Sequence, residues 1–189
     1  MFNRIRRWWR WDGRYYHREF ARGVRSLWRW FPTIWKDRDY DSHYIYELIR
    51  VKLQNQAKYI GDKDRHVTAK RDAERMRLVA RLIKLQQDET YAMEYMDYHE
   101  QDMTWQPTDY RDLKQLVFRQ RSERFDEFFA KYPRQYKRVL NGEINRYKRH
   151  SLEHRDKQVI AMEIAHENQS RCQRLIFSIM HDHVDRWWD

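Results

Sequence analysis

Residues 30–61 read WFPTIWKDRDYDSHYIYELIRVKLQNQAKYIG. A basic helical pattern leads into this stretch. Pro32, which lacks a backbone donor and crowds the preceding turn, predicts the end of that pattern. Beyond the turn, Asp39, Asp41 and Ser42 offer side-chain oxygens where a helix N-terminus has unpaired N–H groups. The carboxylates also suit the positive end of the helix dipole. Residues 42–60 then keep a helical spacing: Tyr44, Ile45, Leu48, Ile49, Leu53 and Ile60 lie broadly on one side, with Gly61 as the C′ residue. Trp35 sits in the turn and is large enough to demand burial. The stretch is therefore predicted to fix how the N-terminal arm meets the rest of the chain. Trp35 is expected at that joint, with Trp187 or Trp188 helping to cover it.

Upstream, residues 1–31 read as a basic amphipathic arm. Phe2, Ile5, Trp9, Tyr16, Phe20, Val24, Leu27 and Phe31 recur at steps of three and four and make one apolar stripe. Arg7, Arg10, Arg14, Arg18, Arg22, Arg25 and Arg29 fall on the other half, with Trp11 among them. The arm holds nine arginines and no lysine against Asp12 and Glu19, so most of the chain's net charge of +10 lies here. A local field of that sign points to a polyanionic partner. Arginine pairs bidentately with phosphate, and aromatic rings stack on bases. The candidate polyanion contacts are thus Arg7, Arg10, Trp11, Arg14, Arg18, Arg22 and Arg25. The plainer reading of the same pattern is a peripheral core helix whose solvated face uses arginine.

Downstream, Thr68 caps a third helix on which Ala73, Met76, Val79, Ala80, Ile83, Gln87 and Tyr91 hold the spacing as far as Glu100 or so. Gln106-Pro107 is the clearest interior break. Thr108 or Asp109 then caps a fourth helix carrying Leu113, Leu116, Val117, Phe125, Phe128 and Phe129. Pro133 breaks or restarts the pattern, and Asn141-Gly142 turns it. A last helix over residues 151–188 carries Leu152, Val159, Ile160, Ile164, Asn168, Cys172, Leu175, Ile176, Ile179 and Trp187. Four glycines and three prolines in 189 residues leave few breakers, and strand-like alternation is almost absent. The expected fold is all-α: an elongated bundle of five or six helices over residues 32–189, carrying the arm 1–31.

Several chemistries are weakly signalled. His150 and His154 stand one helical turn apart, and Glu163 with His166 forms the ExxH pair used in di-iron bundles. A second ExxH is missing, and Glu47 alone does not complete the set, so no metal site is expected. The single Cys172 rules out an internal disulfide and a four-thiolate site, and on a helix it reads as a small core residue. Neither a Walker A motif nor a dinucleotide fingerprint is present, so no cofactor is expected and no catalytic residue is assigned. No run of 18 apolar residues predicts a spanning helix.

The segment FPTIWKDRDYD with the Tyr-rich helix after it, and the ending DRWWD, resemble small proteins of unknown function from tailed bacteriophages. The resemblance covers Trp30–Gly61, part of the following helix and the last helix. It implies a phage gene product made in the host bacterial cytoplasm, or carried in the virion, and assigns no residue a role. The resulting expectation is a non-enzymatic phage binding protein that contacts a polyanion, nucleic acid or a nucleotide signal, through its basic N-terminal helix. A phage structural or host-interaction protein docking on another protein is the second reading, and a metal-dependent enzyme the third. An anionic membrane surface ranks behind nucleic acid and protein as a partner, and an oligomer also fits.

Overall fold

The computed structural model describes residues 14–37, 41–63, 67–110, 112–121, 123–146 and 157–187. Seven α-helices occur among them: α1 (Arg14–Ile34), α2 (His43–Lys63), α3 (Ala69–Gln87), α4 (Thr90–Met93), α5 (Phe125–Lys131), α6 (Pro133–Leu140) and α7 (Lys157–His183). Two 3-10 turns, Glu94–Tyr98 and Val184–Trp187, and two strands, β1 (Glu100–Pro107) and β2 (Lys114–Arg121), complete the order. The chain forms two compact units, Met1–Ile49 and Arg50–Asp189. The fold is mostly helical, but the all-α expectation needs correction, because a two-stranded sheet stands in the middle of the chain.

In the first unit, α1 continues two residues past Pro32 instead of stopping before it. Pro32 forfeits its own bond to the Trp28 carbonyl and crowds it, and the helix ends two residues later. The chain then turns through Trp35 N–H donating to the Phe31 carbonyl at 2.8 Å and Asp37 N–H to that of Ile34 at 3.0 Å. Asp41 acts as anticipated, its carboxylate accepting the His43 N–H at 2.8 Å at the start of α2.

The second unit is organised by α7, which packs against α3, α4, α5, α6 and both 3-10 turns. Ile160, Ile164, Asn168, Cys172 and Ile176, every fourth residue, are buried along it, with Ala161 and Ala165 beside them. Against its first turns Phe125, Phe128, Phe129, Val139 and Ile144 form a core edged by Tyr95, Tyr98, Tyr132 and Tyr136. The Phe129 and Tyr136 rings stack 4.5 Å apart. Polar side chains fix the neighbours' register: Gln135 Nε2 donates to Asn168 Oδ1 at 3.2 Å and Gln169 Nε2 to the Gln86 carbonyl at 2.9 Å. Pro133 restarts the helix, standing at its first turn where no donor is needed. The Asn141-Gly142 turn follows, with Gly142 at φ 76°.

Three boundaries differ from expectation. Gly61 lies inside α2 rather than after it. A Cβ there would sit 3.2 Å from Ala73 Cβ and from Arg77 Nη2, so the glycine admits a close approach of α3. The third helix stops at Gln87, because Glu89 takes a left-handed conformation at φ 49° and α4 starts anew at Thr90. Thr68 does precede α3, but its hydroxyl donates to the buried Asp72 carboxylate at 2.5 Å instead of capping a backbone N–H. The last helix ends at His183 and passes into the 3-10 turn that carries Trp187, while residues 147–156 lie outside the described residues.

The expected fourth helix, from Thr108 or Asp109 through Phe129, is helical only over Phe125–Lys131. Lys114–Arg121 is instead the second strand of an antiparallel hairpin, with Met103 opposite Phe118 and Trp105 opposite Leu116. Thr104, Trp105, Val117 and Phe118 favour the pleated backbone. Gln106 before Pro107 is already biased toward it. The turn is tied by Thr108, whose N–H and hydroxyl both donate to the Leu113 carbonyl, at 3.1 and 2.8 Å.

Candidate anion-docking helix

The positions of α1 divide cleanly around its axis. At about 100° per residue, positions 14, 18, 22, 25 and 29, all arginine, fall within roughly 80° of arc. Tyr16, Phe20, Val24, Leu27, Phe31 and Ile34 fill another arc of roughly 80° on the opposite side. Arg18, Arg22, Arg25 and Arg29 are exposed. Glu19 is the only acid between residues 14 and 34, and it accepts from Arg22 Nη1 at 2.7 Å. Such an exposed pair contributes about 0–1 kcal/mol and leaves the face strongly cationic.

The apolar arc is exposed as well. Phe20 is 74% exposed, Leu27 68% and Ile34 55%. An apolar groove of about 430 Å³ runs along it, lined by Val24, Leu27, Trp28, Phe31 and Ile34. Phe31 lies between Trp28 at 6.3 Å and Trp35 at 5.3 Å, so the aromatic rings continue one another along the helix. The expected burial of Trp35 is not met: it is 74% exposed in the turn after α1, where its ring meets that of Phe31. Trp187, by contrast, is 1% exposed in the turn that packs on α7. Arg7, Arg10, Trp11 and Trp188 lie outside the described residues.

The other chemical candidates resolve differently. Glu163 is buried on α7, with half-buried His166 one turn on. Burial holds His166 below its ordinary value of 6.5, and the nearby Arg146 adds to this while Glu89 opposes it. Among the described residues no group of three His, Cys, Asp or Glu is placed to hold a metal ion, and His150 and His154 fall outside them. Cys172 is buried, its Sγ 3.6 Å from the Leu82 carbonyl, and burial raises its thiol pKa. A thiol so placed is a core residue rather than a nucleophile. Glu94 receives Lys131 Nζ on one oxygen and Tyr132 Oη at 2.6 Å on the other, which ties the first 3-10 turn to the end of α5.

A surface that helical periodicity hid lies on the hairpin. Residues directly opposite in an antiparallel pair share a face, so Met103, Trp105, Leu116 and Phe118 stand together, and all four are exposed. The other face of β1 carries Glu100, Asp102, Thr104 and Gln106, and all but Thr104 are partly covered. The usual arrangement is thus inverted, with the apolar side toward water. The signal was present as Met103-x-Trp105 and Leu116-x-Phe118, a period of two.

No family model matches the chain, and no curated protein or solved structure matches it either.

Proposed function

We propose that this is a non-enzymatic phage binding protein that contacts a phosphate-bearing polyanion through the arginine face of α1. The observation that supports it is the exposed set Arg18, Arg22, Arg25 and Arg29 within one arc, with Glu19 the only acid on the helix. Guanidinium forks match phosphate oxygens two at a time and keep their charge at every physiological pH. Nucleic acid, a nucleotide and a lipid head group all present that chemistry. The phage assignment rests on the FPTIWKDRDYD and DRWWD resemblance alone.

Labelled DNA, labelled RNA and anionic vesicles are titrated with the full chain at several salt concentrations. Binding to at least one is expected, weakening steeply with salt because association releases condensed counterions. Replacing Arg18, Arg22 and Arg25 together by Gln should flatten that dependence while the far-ultraviolet dichroism stays unchanged. Absence of binding to all three at low salt overturns the reading.

A second reading, docking on a phage or host protein, is favoured by the hairpin. Its outward face of Met103, Trp105, Leu116 and Phe118 suits a protein surface, and the strands of a two-stranded sheet offer outer edges for strand addition. Crosslinking in infected cells through a photoreactive residue at Trp105 is expected to capture one defined protein. Loss of that product in Phe118→Ser, with the fold intact, assigns the face, and unselective labelling removes the reading.

A further inference from the structure

Resting on the polyanion reading, we infer that the partner of α1 is an anionic lipid bilayer, in whose plane the helix lies. A nucleic acid held by the arginine arc would leave Phe20, Leu27 and Ile34, on the opposite arc, in water. A bilayer surface uses both arcs at once. Helices that lie in the interface carry an arginine- or lysine-rich face and oppose it with Trp, Phe and Leu. Those are the residue types found here, and the segregation is nearly complete, since Glu19 is the only acid. Charge complementarity commits the lipid to a negative head group, because the face presents arginine to phosphate.

Geometry sets the orientation. A helix of 21 residues is about 32 Å long, comparable to a bilayer's hydrocarbon thickness. Yet among the described residues no helix is apolar enough to cross a membrane. The arginine arc runs from Arg14 to Arg29, through most of α1, so insertion along the axis would carry those charges into the hydrocarbon. Lying flat keeps them out: the apolar arc enters the acyl boundary and the guanidinium groups reach the phosphates from the side. The groove between Leu27, Phe31 and Ile34 then offers an acyl chain a place along the helix. Trp28 and Trp35, exposed at the aromatic end, sit where indole rings prefer the interface.

The test uses the full chain with vesicles of phosphatidylcholine, with and without phosphatidylglycerol, read by flotation and by quenching of tryptophan with brominated lipid. Binding is expected only with the anionic lipid, with quenching that reports rings at the acyl boundary. Replacing Arg18, Arg22 and Arg25 by Gln is expected to weaken vesicle binding roughly a hundredfold, about fivefold for each charge. Phe20→Ser with Leu27→Ser should weaken it at least about tenfold while leaving any affinity for a DNA oligonucleotide unchanged. These side chains are exposed, so the variant keeps its dichroism and thermal midpoint. DNA binding that depends on the arginines, with no vesicle binding, overturns the bilayer and leaves the polyanion reading standing. Absence of binding to vesicles, DNA and RNA alike removes both. A dimer in sedimentation that dissociates in the Phe20→Ser, Leu27→Ser variant would assign the apolar arc to a second copy of the chain and also overturn the bilayer.

Discussion

Cys172 shows how a single side chain can be read from its surroundings. Its position every fourth residue along α7 predicted a core role, and it is buried beside the Leu82 carbonyl. A thiol raised by burial is short of thiolate and shielded from reagents. Native protein is therefore expected to leave Cys172 unreacted with Ellman's reagent, and denaturant to expose one thiol; prompt reaction of the native protein would refute this. His166 gives a pH dependence. The folded state disfavours its charged ring, so the unfolded chain takes up the proton first as pH falls past 6.5. Its contribution is complete above that value and is lost as pH falls through the lower folded pKa. Thermal midpoints should drop on acidification through this window, and less so in His166→Gln. An equal drop in both proteins would place the titrating group elsewhere.

At the scale of the element, helices were legible wherever a stripe faces a core. Ala73, Met76, Val79, Ala80 and Ile83 on α3, and Phe125, Phe128 and Phe129 on α5, are buried as the spacing required. The boundaries that escaped have local causes that residue types do not announce. Glu89 adopts a left-handed backbone that glycine or asparagine would have signalled. The hairpin is hard to read because its period-two signal is two residues long on each strand, and Val117 between Leu116 and Phe118 blurs it. Gly61 has the residue type of a cap, but its service is the close approach of α3. In an ordinary helical conformation a glycine costs helix about 1 kcal/mol relative to Ala. Gly61→Val adds two carbons beyond the Cβ where Ala73 and Arg77 already stand at 3.2 Å. A loss of about 1–3 kcal/mol is expected from that overpacking in urea titrations. A stability equal to wild type would show that α2 and α3 have room to separate.

For the molecule as a whole, stability and candidate function fall on different residues. In the sequence, the organising joint falls at Trp30–Gly61 and the polyanion contacts on the arm before it, whose apolar stripe is expected to pack on the bundle. A partner-facing apolar stripe and a core stripe look alike until burial is known. The structure separates them: α7 gathers the core of the unit Arg50–Asp189, while the large apolar residues of α1 are exposed. That separation has a thermodynamic consequence. Ile164 is fully buried and packs with Phe125 and Phe129 in one cluster. Cutting it to Ala removes methylenes and leaves a cavity, a loss of about 2–5 kcal/mol. Phe20 and Leu27 are no smaller, yet they are already in water in the folded chain. Their replacement by Ser forfeits little burial, and surface changes of this kind stay within about 0.5 kcal/mol. Chemical denaturation of Ile164→Ala and of the Phe20→Ser, Leu27→Ser variant, side by side, should therefore differ by several-fold in their cost. A comparable loss in both would mean that the apolar arc of α1 is packed in the folded protein, and it would no longer be a surface held for a partner.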